Sequence, residues 1–127
     1  MNDAGLKNIA ETRGCHCLAA RKRARELTRR YEAALRPYKL RATQFSVLAA
    51  LAQTGPLPVS KLAGILGLER TTLTRVAGVM GRDGRLSITQ GDDERVRMLH
   101  ITTEGKRVLA EALPAWRRVQ NEVSKEE

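Results

Sequence analysis

The stretch that decides the fold covers residues 59–90, VSKLAGILGLERTTLTRVAGVMGRDGRLSITQ. Apolar residues in its first part recur at the i, i+3, i+4, i+7 spacing of one helix face: Val59, Leu62, Ala63, Leu66. Gly67 follows, and glycine readily ends a helix because it adopts left-handed backbone angles without a steric penalty. The pattern predicts a short helix, a tight turn, and a second helix from near Glu69 to about Asp83.

The second helix separates apolar and polar residues onto opposite sides. At about 100° per residue, one side collects Leu73, Val76, Ala77 and Met80. The other side collects Thr71, Arg75, Gly78 and Arg82, flanked by Thr72 and Thr74. This second side carries hydroxyl and guanidinium groups and no acid. We therefore expect the leucine side to be buried and the threonine–arginine side to lie in solvent.

After this helix the apolar period changes to that of a strand. Leu86 and Ile88 alternate with polar residues, and Leu99 and Ile101 do the same further along. Between them, residues 91–94 (GDDE) are typical of a turn. Two short helices followed by a hairpin predict a winged helix-turn-helix.

Longer helices are predicted on both sides of this unit. In the first, one apolar stripe steps by three and four residues through Cys17, Ala20, Ala24, Leu27, Tyr31, Ala34 and Tyr38. A stripe of this length requires a partner along the whole helix. Thr43 is a plausible N-cap for the next helix, and Thr102 can cap the last one.

The fold class that follows is mainly α. A three-helix core with a β-hairpin wing is predicted over residues 43–101, in a single domain of residues 1–127. Helices over residues 15–36 and 103–123 are predicted to serve dimerisation.

Charge gives the first indication of a partner. Lys and Arg number 23 against 14 Asp and Glu, a formal net charge of +9. Such a surplus attracts polyanions, of which nucleic acid is the usual one, although a merely basic surface is the alternative. The longest apolar stretch, residues 47–52, is far shorter than the roughly 20 residues of a membrane span. Without the apolar run of a signal peptide, we expect a cytoplasmic protein with no membrane partner.

The polar side of the second helix suits a DNA groove. Arginine can bond bidentately to guanine, and threonine can meet base edges, a thymine methyl group or phosphate. Arg70 and Thr71 lie at the amino end, where backbone N–H groups favour phosphate. Gly78 costs about 1 kcal/mol against Ala within a helix, which suggests room for close approach, a tolerated defect being the alternative. The polar side could otherwise be a merely solvated face.

The hairpin tip is basic as well. Arg95 lies next to the turn, and Arg97 is two residues on, hence on the same face of the strand. A basic tip fits the minor groove, where narrow A·T tracts concentrate negative potential. Asp93 is placed to hold the Arg95 guanidinium. The alternative is a solvated hairpin with a surface ion pair.

These segments together resemble the multiple-antibiotic-resistance regulator (MarR) family over residues 15–123. The ordered pieces that carry the resemblance are LRATQFSVL at 40–48, Leu62-Ala63, Leu66-Gly67-Leu68, TTLTR at 71–75, Asp93-Glu94-Arg95 and LHITTEG at 99–105. The resemblance implies a homodimer formed by the first and last helices, which binds pseudo-palindromic double-stranded promoter DNA and represses. It places the 71–75 helix in the major groove and Arg95 in the minor groove.

The family commonly releases DNA when a small molecule or an oxidant acts near the dimerisation helices, so an effector of this kind is an expected partner. Two features depart from the family pattern. Gly81 and Arg85 replace acidic and bulky apolar residues, which predicts a loose junction after the recognition helix. The sequence also stops soon after Val123, before a further helix that many members have, so either dimerisation uses fewer helices or a tail is missing.

Cys17 resembles the reactive cysteine of the family's hydroperoxide-sensing branch, and Tyr31 resembles a tyrosine near it. Arg21 replaces a second tyrosine, yet lies at i+4 from Cys17, where its charge favours the reactive thiolate. A buried structural cysteine is the alternative. Cys15 lies about 200° around the helix from Cys17, so the two cannot form a disulfide while that turn is helical.

Other functional classes have weaker support. Cys15, His16 and Cys17 lack the four-ligand spacing of structural zinc, so we expect no metal and no cofactor. The motifs GxxxxGK[ST], GxSxG and HExxH are absent, so we expect no enzyme. The rival to a sequence-specific regulator is a winged helix used for protein contact or for non-specific nucleic-acid binding, because fold alone does not settle function.

Overall fold

Five α-helices and three short strands make up the fold, which a computed structural model describes for residues 4–93 and 95–127. The helices are α1 (His16–Leu35), α2 (Ala42–Thr54), α3 (Val59–Leu66), α4 (Arg70–Arg82) and α5 (Thr103–Glu126). The strands are β1 (Leu57–Pro58), β2 (Leu86–Gln90) and β3 (Arg97–Ile101). Residues 1–3 of the predicted domain and Glu94 of the predicted wing lie outside the described residues.

The helix-turn-helix forms where the apolar spacing placed it. Gly67 ends α3 in the left-handed conformation, with φ 67°, and its N–H bonds back to the last turn of α3. Leu62 and Leu73, one from each helix, are completely buried. Because both apolar faces point into one core, the opposite face of α4 is left to solvent.

The predicted hairpin is present. β2 and β3 pair antiparallel, with Leu86 opposite Ile101 and Ile88 opposite Leu99. β1 joins β3 on its other edge, which the sequence did not predict because prolines surround this segment. Pro58 has no N–H to donate, and an edge strand tolerates that loss. The wing is therefore anchored to the start of α3.

The structure at the start of α5 explains why the sequence there is Thr102-Thr103-Glu104-Gly105. Thr102 caps the helix as predicted, since its Oγ1 accepts from the Gly105 N–H at 3.0 Å. The same hydroxyl donates to the Gly84 carbonyl at 2.7 Å. A Cβ on Gly105 would lie 2.3 Å from the Arg85 carbonyl oxygen, so only glycine fits here. This contact fixes α5 against the beginning of the wing.

The prediction that Thr43 caps α2 is wrong by two residues. The cap position is Arg41, whose N–H donates to Gln44 Oε1 at 3.0 Å. Glu32 of α1 accepts from the Ala42 N–H at 2.9 Å and from Arg41 Nε at 2.9 Å. The carboxylate of Glu32, from α1, therefore accepts a hydrogen bond at the start of α2, where the sequence predicted a local hydroxyl cap.

α1 packs alongside α5 at its carboxyl-terminal half. The Arg30 guanidinium donates two hydrogen bonds to Glu126, at 2.7 and 3.0 Å, and Tyr31 donates to Gln120 Oε1 at 2.5 Å. Of the residues of α1, only Leu35 is buried. The amino-terminal half of the stripe, with Cys17, Ala20 and Ala24, is exposed in the single chain. Among the described residues, no helix is both long and apolar enough to cross a bilayer.

The prediction of a loose junction after α4 is wrong at Arg85. Its guanidinium donates to the backbone carbonyls of Lys39 and Tyr38, at 2.7 and 3.1 Å. At Gly81, a Cβ would be in ordinary contact with Ile88, at 3.7 Å, so this position has room for a methyl group. Hydrogen bonds from Arg85 therefore hold a junction that was expected to be loose.

Candidate nucleic-acid interface

α4 presents the predicted faces. Leu73, Ala77 and Met80 are buried, whereas Thr71 and Arg75 lie in solvent. Thr74 and Arg82 are exposed too, and Thr72 is half-buried. The exposed face runs from Arg70 to Arg82, about 18 Å along the helix axis, which is long enough to follow a major groove.

The amino end of α4 has free hydrogen-bonding capacity. The N-cap residue is Glu69, and its side chain accepts no capping hydrogen bond in the described structure. The N–H groups of the first turn are therefore open to an anion, and the helix dipole favours a negative charge there. The exposed Arg70 adds a full positive charge at the same end. This end of the helix is suited to a phosphate group.

Thr74 has a more limited role than its exposure suggests. Its Oγ1 donates to the Arg70 carbonyl at 2.9 Å, so the hydroxyl proton is used within the helix. Acceptor lone pairs and the methyl group remain. Thr74 can therefore accept from a base amino group or contact a thymine methyl group.

The tip of the wing is ordered around one carboxylate. Asp93 accepts from the Arg95 backbone N–H at 3.0 Å and from its guanidinium at 3.1 and 3.3 Å, as the sequence predicted. These hydrogen bonds, first from the side chain and then from the backbone of Arg95, lower the pKa of the Asp93 carboxyl. The Arg95 side chain nevertheless remains 89% exposed. The guanidinium is thus oriented without being covered.

Some of the predicted residues meet in one cleft. Its volume is about 280 Å³, and its polar lining residues are Ser60, Arg70, Thr74, Arg95 and Arg97. The wing and α4 therefore face the same space, with three guanidinium groups around it. Thr71, Thr72, Arg75 and Arg82 lie elsewhere on α4.

Ser60 is a residue that the sequence analysis missed. It lies exposed in the first turn of α3, beside the cleft. The available signal was a serine at the start of the predicted helix, where hydroxyls and backbone N–H groups face outward. Its neighbourhood with Arg95 depends on the pairing of β1 with β3, which the sequence did not predict.

Charge pairing separates two kinds of arginine. Arg30, Arg41 and Arg107 have carboxylate partners, on Glu126, Glu32 and on Glu104 with Glu111. In the described part of the chain, Arg70, Arg75, Arg82 and Arg97 have no such partner. A guanidinium without an internal partner keeps its charge available for an external anion.

The proposed redox residues are not assembled in one chain. Cys17, Arg21 and Tyr31 all lie on α1, where the 14 residues from Cys17 to Tyr31 span about 21 Å. Cys17 is exposed, so the alternative of a buried structural cysteine does not fit the single chain. Cys15 lies before the helix, in extended conformation, so the argument that a helical turn separates the thiols does not apply.

A second, more apolar cleft lies between α1, α2 and α5. It has a volume of about 210 Å³ and is lined by Leu27, Thr28, Tyr31, Leu35, Ala42, Phe45, Ser46 and Trp116. The rings of Phe45 and Trp116 stack with centroids 5.8 Å apart. Sequence analysis could not find this cleft because its walls come from three distant segments. Among residues 4–93 and 95–127, no group of His, Cys, Asp and Glu side chains could hold a metal ion.

Comparisons with known proteins agree with this architecture. The sequence model of the MarR family matches residues 40–91, from α2 through β2. The M. tuberculosis transcriptional regulator MosR, solved in complex with DNA, superposes with a TM-score of 0.83. It is 42% identical, and the match covers 89% of this chain and 83% of that one.

Two further relatives differ in what they support. Wild-type MarR of E. coli superposes with a TM-score of 0.75 over 88% of this chain and 84% of that one, and its 18% identity supports the fold alone. YwoH of Bacillus subtilis (strain 168), described as an uncharacterized HTH-type transcriptional regulator, is 29% identical over 84 residues, or 66% of this chain. That match spans 61% of YwoH, so less than two thirds of this curated relative is covered.

Two findings show the family of this chain. MosR is 42% identical over most of both chains, and the MarR family model matches the whole helix-turn-helix. The matched segment contains α4, whose exposed threonines and arginines form the interface described above. On these grounds, the chain belongs to the MarR family.

Proposed function

We propose that this protein is a sequence-specific, DNA-binding transcriptional regulator that acts as a repressor and binds a pseudo-palindromic operator as a homodimer. The observation that carries the proposal is the exposed, carboxylate-free face of α4 beside the two exposed arginines of the wing, Arg95 and Arg97. The net charge of +9 gives both elements a long-range attraction to a polyanion. The DNA complex of the related MosR supports the same assignment.

Each element has a separate role in the proposed complex. α4 enters the major groove, where Arg75 contacts base edges together with Thr71, Thr72 and Thr74. Arg95 enters the minor groove, oriented by Asp93, and Arg97 follows on the same strand face. Arg70 and Arg82, at the two ends of α4, bind phosphates. The cleft between α4 and the wing then receives the sugar–phosphate strand that separates the two grooves.

The homodimer is proposed from the apolar surface that a single chain leaves open. Cys17, Ala20 and Ala24 of α1 form an exposed stripe, and Leu18 beside them is 51% exposed. On α5, Leu109 and Leu113 are half-buried and therefore also leave apolar surface open. A second copy can cover these surfaces and relate two α4 helices by a two-fold axis, as a palindromic site requires.

The test begins with selection of bound sequences from a random DNA pool. We expect half-sites about 10 base pairs apart, centre to centre. Arg75→Ala should cost about 1–3 kcal/mol of discrimination between the selected operator and random DNA. Arg82→Ala, the matched arginine variant on the same face, should weaken binding to both DNAs by a similar factor.

Two results would contradict the proposal. The first is a selection that returns no sequence preference, which would indicate non-specific nucleic-acid binding or a winged helix used for protein contact. Alternatively, Arg75→Ala could reduce binding to operator and random DNA equally, which would mean that Arg75 contacts only phosphate.

We further propose that an effector releases the operator, either through oxidation of Cys17 or through a small apolar molecule in the cleft beside Trp116. Cys17 is exposed in the first turn of α1, one helical turn before the exposed Arg21. Tyr31 lies too far along α1 to reach Cys17 in the same chain. A site that contains both would draw one of them from a second copy.

Peroxide titration of operator binding separates the two routes. If oxidation acts at Cys17, Cys17→Ser keeps its operator affinity under peroxide while the wild type and Cys15→Ser lose theirs. A response that survives in Cys17→Ser would exclude this cysteine. Occupation of the apolar cleft is followed independently by fluorescence, since Trp116 is the only tryptophan.

A further inference from the structure

Arg85 lies where three helices meet. Its backbone N–H donates to the Met80 carbonyl near the end of α4, at 2.9 Å. Its carbonyl accepts from the Thr102 N–H at the start of α5, at 3.2 Å. The backbone of this one residue therefore connects the recognition helix to the last helix.

The side chain of Arg85 adds the third helix. Nη1 donates to the Lys39 carbonyl at 2.7 Å, and Nη2 donates to the Tyr38 carbonyl at 3.1 Å. Both acceptors belong to the turn that follows α1. The planar guanidinium holds two adjacent carbonyls at once, a geometry that a flexible lysine ammonium does not reproduce.

The turn that receives these bonds is itself strained. Lys39 has φ 56°, and among the described residues it is the only one other than glycine with a positive φ. Left-handed angles cost roughly 1–2 kcal/mol for a residue with a Cβ, so the turn needs support from its surroundings. Arg85 supplies part of that support from outside α1.

We propose that Arg85 is a positioning residue that fixes the angle between α1 and α4, and that it thereby sets the half-site spacing that the dimer accepts. The inference rests on the proposed function. α1 contributes to the proposed dimer surface and α4 carries the DNA contacts, so their relative orientation sets the separation of the two α4 helices. Arg85 bonds directly to the end of each.

The consequence for operator choice is geometric. One additional base pair between half-sites rotates them by about 35° and separates them by about 3.4 Å. A rigid dimer cannot follow this change without losing contacts at one half-site. A dimer whose α1–α4 angle is free to vary can adapt, and it then discriminates less between spacings.

The experiment compares wild-type protein with Arg85→Leu and Arg85→Lys on the selected operator and on operators lengthened or shortened by one base pair. We expect a change in spacing to weaken wild-type binding at least about tenfold, and Arg85→Leu to reduce that penalty at least about threefold. Arg85→Lys should fall between them. Arg107→Leu is the matched control, because among the described residues the Arg107 guanidinium bonds to Glu104 and Glu111, both on its own helix.

A change in stability alone would not alter the spacing penalty. If Arg85→Leu loses the same factor on every operator, the positioning role is overturned. Amide hydrogen exchange provides a readout that needs no DNA: residues 36–40 and 80–86 should both lose protection in Arg85→Leu but not in Arg107→Leu. Unchanged exchange in these two segments would overturn the inference, whether or not an operator is found. Failure to find an operator, by itself, would contradict only the proposed function.

Discussion

α1 and α4 are both amphipathic helices, yet the chain treats them differently. α4 buries Leu73, Ala77 and Met80 within 13 residues, whereas α1 buries Leu35 alone within 20. The apolar face of α4 is covered by α2, α3 and the wing. That of α1 is covered only toward its carboxyl end. The core of the helix-turn-helix is therefore complete in one chain, and the first helix leaves much of its apolar face exposed.

The polar faces differ in the same sense. On α1, Arg30 is held by two hydrogen bonds to Glu126, and Glu32 is bonded to Arg41 and the Ala42 N–H. On α4, Arg75 has no carboxylate partner among the described residues. Charges that stabilise the fold are paired within the chain, whereas most charges proposed to bind DNA have no partner among the described residues. Arg95 is the exception, because it bonds to Asp93.

The largest expected effect comes from truncating one leucine in α4 and one in α1. Leu73→Ala removes a fully buried side chain and should cost about 2–5 kcal/mol of unfolding free energy. Leu18→Ala should leave the unfolding free energy of the single chain nearly unchanged and shift the proposed dimer toward monomer. Urea unfolding and sedimentation at several protein concentrations measure the two effects. A large stability loss in monomeric Leu18→Ala would show that the α1 face is already covered.

Glycines give the second test, because two of them have opposite surroundings. Gly105→Ala places a Cβ 2.3 Å from the Arg85 carbonyl and should destabilise by about 1–3 kcal/mol or more. Gly78→Ala meets nothing within 4 Å and should stabilise by up to about 1 kcal/mol through helix propensity.

Operator binding then separates the two interpretations of Gly78. If the glycine allows close approach to DNA, Gly78→Ala binds the operator more weakly although it is more stable to urea. If binding is unchanged, Gly78 is a tolerated defect. Destabilisation by Gly78→Ala would contradict the open space seen on this face of α4.

The smallest expected effect concerns Glu32 and pH. Burial raises the pKa of its carboxyl, but hydrogen bonds from Arg41 and the Ala42 N–H outweigh burial and hold the pKa below its usual 4.5. A lowered pKa in the folded state stabilises above pH 4.5, and this contribution is lost as pH falls through the folded-state value. Glu32→Gln should therefore cost up to about 1 kcal/mol at pH 7 and less below pH 4.

The control for this titration is Glu11→Gln, which removes an exposed carboxylate from the amino-terminal segment. Urea unfolding between pH 3 and pH 7 measures both variants. A Glu32→Gln deficit that stays constant over this range would mean that the charge of Glu32 does not contribute.

Local pattern was sufficient for much of the fold. The spacing of apolar residues in α3 and α4 predicted that the faces carrying Leu62 and Leu73 are buried. The alternation of apolar and polar residues predicted β2 and β3. Thr102 was correctly identified as a cap because a capping hydroxyl bonds only three residues away. Thr43 was wrongly identified as a cap, because Glu32, ten residues before Ala42, supplies the acceptor at that helix end.

The site divides along the same line. Sequence alone placed Arg75 on an exposed face and paired Asp93 with Arg95, since helix geometry and a two-residue separation determine both. It could not place Ser60 beside Arg97, because that proximity depends on the edge strand β1. Nor could it assign Arg85, whose acceptors lie 46 and 47 residues earlier in the chain.

The sequence by itself thus determined the order of helices and strands, the faces they bury and the placement of arginines on α4 and at the wing tip. These depend on periodicity and turn chemistry within a few residues. Only the tertiary structure decided that the wing and α4 share one cleft, that Cys17 is exposed, and that Arg85 joins α1 to α4. The first and the last arise from contacts between distant segments, and the exposure of Cys17 arises because no distant segment of the chain packs over it. Periodicity within a few residues carries no information about either kind of outcome.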